Sequence, residues 1–159
     1  MRVGIGYDIH RLKKGRKLFL GGVKISHPKG LEGHSDGDVL IHAVVDALLG
    51  AAGLGDIGEH FSDKTKKFKN ADSRLFLRAA REMLREKKLK IVNVDTVLIA
   101  EEPKLSIYKV KISAAIAREL GISKSQVNVK AKTNEGFGAI GRKDAIACQA
   151  IVSLSSVGV

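Results

Sequence analysis

Residues 36–52 read Asp36-Gly37-Asp38-Val39-Leu40-Ile41-His42-Ala43-Val44-Val45-Asp46-Ala47-Leu48-Leu49-Gly50-Ala51-Ala52. The stretch predicts a helix with Ser35 or Asp36 as its N-cap. It is apolar nearly all round, so it must be buried. Asp38, His42 and Asp46 interrupt it at intervals of four and follow one stripe. Polar groups on a buried helix need partners.

Working outward, residues 2–7 alternate as a short strand, and 17–20 with 23–25 form a hairpin around Gly21-Gly22. Residues 53–69 read as a loop. A second helix spans 73–88 with Asp72 as its cap. Its residues Phe76, Ala79, Ala80, Met83 and Leu84 share one face, opposite Arg74, Arg78, Arg81 and Arg85, with Glu82 and Glu86 interleaved. Residues 90–100 form a strand, Pro103 opens a third helix ending at Gly121, and 126–132 and 145–155 are the last strands. The order β-β-β-α-α-β-α-β-β implies an α+β fold: one domain over 1–159, two layers, with helices covering a mixed β-sheet.

The chain has 159 residues, a net charge of +11 and one cysteine. That length supports one core without disulfides. The apolar content of 44% excludes a disordered chain. No apolar run reaches the roughly 20 residues of a membrane helix and no signal peptide opens the chain, so a cytoplasmic location is expected. The charge invites nucleic acid as a partner. However, residues 64–90 hold 11 basic and 3 acidic residues, while 8–63 hold 7 and 8. The surplus lies apart from the unusual residues, and the interleaved Glu residues favour a solvated, ion-paired face.

Asp8 and His10 stand two apart, which in a strand puts both on one side. With His42 they make two imidazoles and a carboxylate, a set that leaves a coordination position open. Zinc fits, as does non-haem iron. Gly53-Leu54-Gly55-Asp56-Ile57-Gly58 can bring backbone N–H groups close to an anion, although no Walker loop is present. Gly4-x-Gly6 fails the dinucleotide fingerprint because Ile9 holds its third glycine position. In 130–138, Lys130, Lys132, Thr133 and Glu135 run into a glycine-rich turn. Thr and Lys suit phosphate oxygens, and Glu suits a hydrated divalent cation. Cys148, among apolar strand residues, reads as an inert buried thiol.

Together these clusters resemble the 2-C-methyl-D-erythritol 2,4-cyclodiphosphate synthase family. The likeness runs through Gly6-Tyr7-Asp8-Ile9-His10, His34-Ser35-Asp36-Gly37-Asp38, His42-Ala43, Leu54-Gly55-Asp56-Ile57-Gly58, Ala71-Asp72-Ser73-Arg74, Pro103-Lys104, Val127-Asn128-Val129-Lys130-Ala131 and Gly141-Arg142. It implies zinc on Asp8, His10 and His42, and a second divalent ion, magnesium or manganese, on Glu135. It implies that His34 and Thr133 hold the reacting phosphates and stabilise the transition state. Ser35, Asp56, Ile57, Gly58 and Phe61 would surround the methylerythritol phosphate, with Ser62, Asp63, Lys64 and Thr65 beside them. Ala100, Lys104, Leu105, Ala131 and Lys132 would line the cytidine pocket. Substrate contacts would also include Asp8, His10, Pro103, Asn134, Glu135, Ala139 and Arg142. The family is a homotrimer with sites between subunits, acting on a cytidine diphosphate-linked small molecule and on no nucleic acid or membrane. Ala139 stands where many members have Phe, a position associated with an axial cavity. A metallohydrolase and a nucleic-acid-binding module are the competing readings: the first requires a general base, the second an Arg stripe free to meet phosphates.

Overall fold

The computed structural model describes residues 1–62, 68 and 70–158. Its strands are β1 (Arg2–Lys14), β2 (Leu18–Leu20), β3 (Val23–Ile25), β4 (Lys29–Leu31), β5 (Leu89–Ile99), β6 (Val127–Lys132) and β7 (Ala145–Ser156). Its helices are α1 (Val39–Ala52), α2 (Ile57–His60), α3 (Arg74–Glu86), α4 (Lys109–Leu120) and α5 (Gly138–Gly141), with 3-10 turns at Leu105–Ile107 and Lys124–Gln126. Five strands form one mixed sheet in the order β4-β1-β7-β5-β6, and β2-β3 form a separate hairpin. Only β5 and β6 run parallel, joined by the α4 crossover. This is the α+β layering expected from the sequence.

The first strand runs seven residues further than predicted, because beyond Tyr7 it still pairs with β7 and then with β4. β4, α2 and α5 were not predicted. Each has three or four residues, too few for a periodic pattern to register.

The predicted cap of α1 shifts. Asp38 is the N-cap of α1; its Oδ1 accepts from the Ile41 N–H at 3.1 Å. The same carboxylate accepts from the N–H groups of Gly21 (2.9 Å) and Gly22 (2.7 Å), docking the β2–β3 turn on the helix start. The cap position of α3 is Ser73, but the side chain that serves its first turn is that of the predicted Asp72, whose Oδ1 accepts from the Arg74 N–H at 3.0 Å and which also clamps the Arg74 guanidinium. Pro103 does not open a helix. It follows a cis bond from Glu102, the chain is still extended at Lys104, and α4 begins at Lys109.

The Arg stripe of α3 is tied down. Arg78 pairs with Glu119 of α4 at 2.7 Å, and Arg81 and Arg85 pair with Glu82 at 3.0 and 2.9 Å. Cys148 is fully buried, and burial pushes its thiol far above the usual range, as an inert thiol requires. Among the described residues, no helix is long and apolar enough to cross a membrane.

The sheet has unequal faces. Along β1, Gly4, Gly6, Asp8, His10 and Leu12 point toward α1, while Val3, Ile5, Tyr7 and Ile9 point away and stay exposed. On that outer face Ile5 sits opposite Ile151 of β7.

Candidate active site

The two glycines of β1 set the depth at which α1 packs. A Cβ on Gly4 would lie 2.1 Å from the Ala47 carbonyl oxygen, and one on Gly6 would lie 2.0 Å from that of Ala43. Helix backbone therefore rests directly on strand backbone. His42, beside Ala43, consequently reaches the ends of Asp8 and His10, the next residues on the same strand face.

Asp8 Oδ2 lies 2.8 Å from His10 Nε2 and 2.9 Å from His42 Nδ1, and the two ring nitrogens are 3.1 Å apart. All three side chains are half-buried, with their ligand atoms within 4.8 Å of one another. His10 Nδ1 donates to the Glu32 carbonyl at 2.5 Å, which directs Nε2 at Asp8 as the ring nitrogen that would meet a cation. Burial works against charge on Asp8, but the hydrogen bonds and charge of His10 and His42 outweigh it and hold the carboxyl well below its usual range. Burial also opposes charge on His10, and Asp8 outweighs it, so that imidazole titrates above its ordinary value. A carboxylate facing two imidazole nitrogens suits a divalent cation, and sequence spacing had identified all three residues.

The triad forms one wall of a cavity of about 350 Å³, shared with His34, Ser35, Asp46, Ile57, Gly58, Phe61, Phe68 and Phe76. Three phenylalanines make the apolar wall: Phe61 and Phe76 centroids are 4.7 Å apart, and Phe68 lies 5.8 and 5.6 Å from them. Asp46 Oδ1 accepts from the Ile57 N–H at 2.8 Å and so fixes the start of α2 against the cavity. Burial pushes the Asp46 carboxyl up. Asp56 caps α2 through the Glu59 N–H (3.0 Å), one residue before the cavity lining. Ser62 follows this wall, whereas Asp63, Lys64 and Thr65, expected beside it, lie outside the described residues.

A second cavity, of about 260 Å³, gathers Ala100, Pro103, Lys104, Leu105, Ala131, Lys132 and Thr133. Thr133 Oγ1 donates to Glu135 Oε1 at 3.0 Å. The turn bearing Asn134 and Glu135 is braced by Glu101, which accepts from the N–H groups of Asn134 (2.8 Å) and Gly136 (3.2 Å). Ala139 and Arg142 lie in a third recess with Ile9 and Arg11. Within one chain, then, His34 and Thr133 line different cavities.

A model of the YgbB family matches residues 1–155. The chain is 55% identical over 157 residues to 2-C-methyl-D-erythritol 2,4-cyclodiphosphate synthase of Dechloromonas aromatica, covering 99% of this chain and 98% of the relative. It is 56% identical over 154 residues to the enzyme of that name from Neisseria gonorrhoeae, covering 97% and 96%. The chain belongs to the YgbB family.

Two solved structures extend the YgbB likeness to the fold. One is the bifunctional IspDF of Campylobacter jejuni, with a TM-score of 0.95 at 44% identity, covering 98% of this chain and 42% of that longer one. The other is a CDP complex of Plasmodium falciparum IspF, with a TM-score of 0.87 at 42% identity, covering 99% and 97%.

Some YgbB-site residues carried no local sequence signal. Phe68 and Phe76 read as loop and core, yet they wall the cavity. Glu101 lies 33 residues from the turn it braces. Ser73 and Asp36 stand at helix starts, but the Ser73 side chain turns toward His42 and the Asp36 side chain toward Ser73. Helical spacing alone had pointed to partners for Asp38 and Asp46.

Proposed function

We propose that this chain closes the ring of 4-diphosphocytidyl-2-C-methyl-D-erythritol 2-phosphate, giving 2-C-methyl-D-erythritol 2,4-cyclodiphosphate and CMP in isoprenoid biosynthesis. The observation that carries the reading is the Asp8–His10–His42 cluster opening into a cavity walled by His34, Ser35 and three phenylalanines. Identity of 55% and 56% to synthases of that name, over nearly the whole chain, supports it.

The reaction is an intramolecular phosphoryl transfer. An oxygen of the 2-phosphate bonds to the β-phosphorus, the bond from the β-phosphorus to the bridging oxygen breaks, and CMP leaves with that oxygen. Such transfers depend on positioning and charge neutralisation, so no protein nucleophile is required. The carboxylate and two imidazoles fit zinc, and Glu135, with Thr133 beside it, fits magnesium or manganese. When bound, these ions would withdraw charge from the diphosphate and neutralise the departing CMP. His34 and Thr133 hold phosphate oxygens on either side of the reacting phosphorus. Ser35, Ile57, Gly58 and Phe61 hold the methylerythritol end while the aromatic wall excludes water. Lys104 and Lys132, with Ala100, Leu105 and Ala131, receive the cytidine.

A homotrimer with shared sites is part of the same proposal. Two features support it: the exposed row Val3, Ile5, Tyr7 and Ile9 on the sheet, and the separation of the metal cavity from the Lys104–Lys132 cavity within one chain. The location is the cytoplasm, and neither nucleic acid nor membrane is a partner; the ion-paired Arg face supports the former point. The hydrolase reading has two candidate bases: buried Asp38 is committed to three backbone N–H groups, and Asp46, in the cavity wall, holds the Ile57 N–H at 2.8 Å. His42→Ala tests the assignment: bound zinc and CMP release should both be lost. Full zinc occupancy in the variant would remove His42 from the site.

A further inference from the structure

Ser73 occupies the N-cap of α3, where a serine ordinarily accepts a hydrogen bond from the first turn of its own helix. It makes no such bond. Its side chain is instead fully buried and lies 2.5 Å from Asp36 Oδ1 and 3.0 Å from His42 Nε2. The first turn is served instead by Asp72 Oδ1, which accepts from the Arg74 N–H at 3.0 Å, so the Ser73 hydroxyl is left for another use.

Proton counting identifies that use. A serine hydroxyl has one hydrogen, and an ionised carboxylate only accepts. The hydrogen of Ser73 is therefore spent on Asp36, and toward His42 the serine can only accept. His42 Nε2 is then the donor to the serine, and Nδ1, 2.9 Å from Asp8 Oδ2, is the nitrogen left to give up its proton when a cation binds. Asp36 is itself fixed: Oδ2 accepts from the Ser73 N–H at 3.1 Å, and Oδ1 from the Asp38 N–H at 3.2 Å. The arrangement mirrors the Glu32 carbonyl behind His10. Ser35 Oγ also lies 3.1 Å from His42 Nε2, but no carboxylate claims its hydrogen, so alone it could donate to Nε2 and select the opposite tautomer.

We propose that Asp36 and Ser73 form a positioning pair that holds His42 in its Nε2–H tautomer and thereby prepares Nδ1 to bind the metal. The inference rests on the metal-site reading above. Groups behind a histidine ligand typically change metal affinity by about 10–100-fold, and neither residue lines the cavity.

The test uses the full-length protein, zinc and a competing chelator. Wild type should bind one zinc per chain. Ser73→Ala and Asp36→Asn should fold and bind zinc about 10–100-fold more weakly, and Ser73→Thr, which keeps the hydroxyl, should recover most of that loss. At saturating zinc the kcat of Ser73→Ala should approach wild type, because the residue does not touch substrate. Nitrogen-15 NMR of zinc-loaded wild type should place the His42 proton on Nε2, a readout that needs no variant to fold. A proton on Nδ1, or unchanged zinc affinity in both variants, overturns the pair. Wild type that binds no zinc overturns the metal reading itself, and the pair falls with it.

Discussion

Gly6→Ala is the sharpest test of how the fold builds the site. The added methyl would sit 2.0 Å from the Ala43 carbonyl oxygen and 2.9 Å from the Ala47 nitrogen. Both are helix backbone, so no side chain can swing aside. Ordinary contact begins near 3.4 Å, so α1 must retreat by 3.4 − 2.0, about 1.4 Å at this point. His42 is adjacent to Ala43 and moves with it, away from Asp8 and His10 on the strand. Metal sites tolerate about 0.2 Å in ligand distance, so this displacement is several times too large. Overpacking of this kind costs about 1–3 kcal/mol, which for a domain of this size lowers Tm by roughly 2–12 °C. Calorimetry and zinc analysis on one preparation measure both effects. The expected variant is folded, less stable and zinc-deficient. An unchanged Tm with full zinc content would refute the claim that glycine packing sets the geometry of the triad.

Other perturbations separate the remaining parts of the account. Asp38→Ala strands the N–H groups of Gly21, Gly22 and Ile41, and should cost about 2–4 kcal/mol in urea unfolding; a loss below about 0.5 kcal/mol would mean the hairpin is held otherwise. Ile5→Lys, together with Ile151→Lys, places charge on opposed positions of the uncovered sheet face. Sedimentation should show wild type at about three times 17.1 kDa and the double variant as a monomer without turnover; a monomeric, fully active wild type would contradict shared sites. Glu135→Gln should lower kcat at fixed magnesium while leaving one zinc bound, and loss of zinc instead would misplace the second ion.

Much of this was legible in the sequence because it depends on local period. The apolar run 39–52 had to be a buried helix, and the Asp8–His10 step had to share a strand face. Three-residue β4 and four-residue α2 gave no period to read. The roles of Ser73 and Glu101 arise from contacts 31 to 37 residues away, which local spacing cannot encode. Asp38 illustrates the boundary: the helical stripe showed that it needed partners, but only the docked hairpin showed which ones. The partition of His34 and Thr133 between two cavities is likewise a property of the folded chain.

The central claim is ring closure by phosphate attack, and product analysis in oxygen-18 water tests it most directly. Incubated with the cytidyl diphosphate substrate, zinc and magnesium, the protein should release CMP and cyclic diphosphate in equal amounts, with no solvent oxygen in either. A methylerythritol 2,4-bisphosphate carrying oxygen-18 would show that water is the nucleophile and would contradict the account.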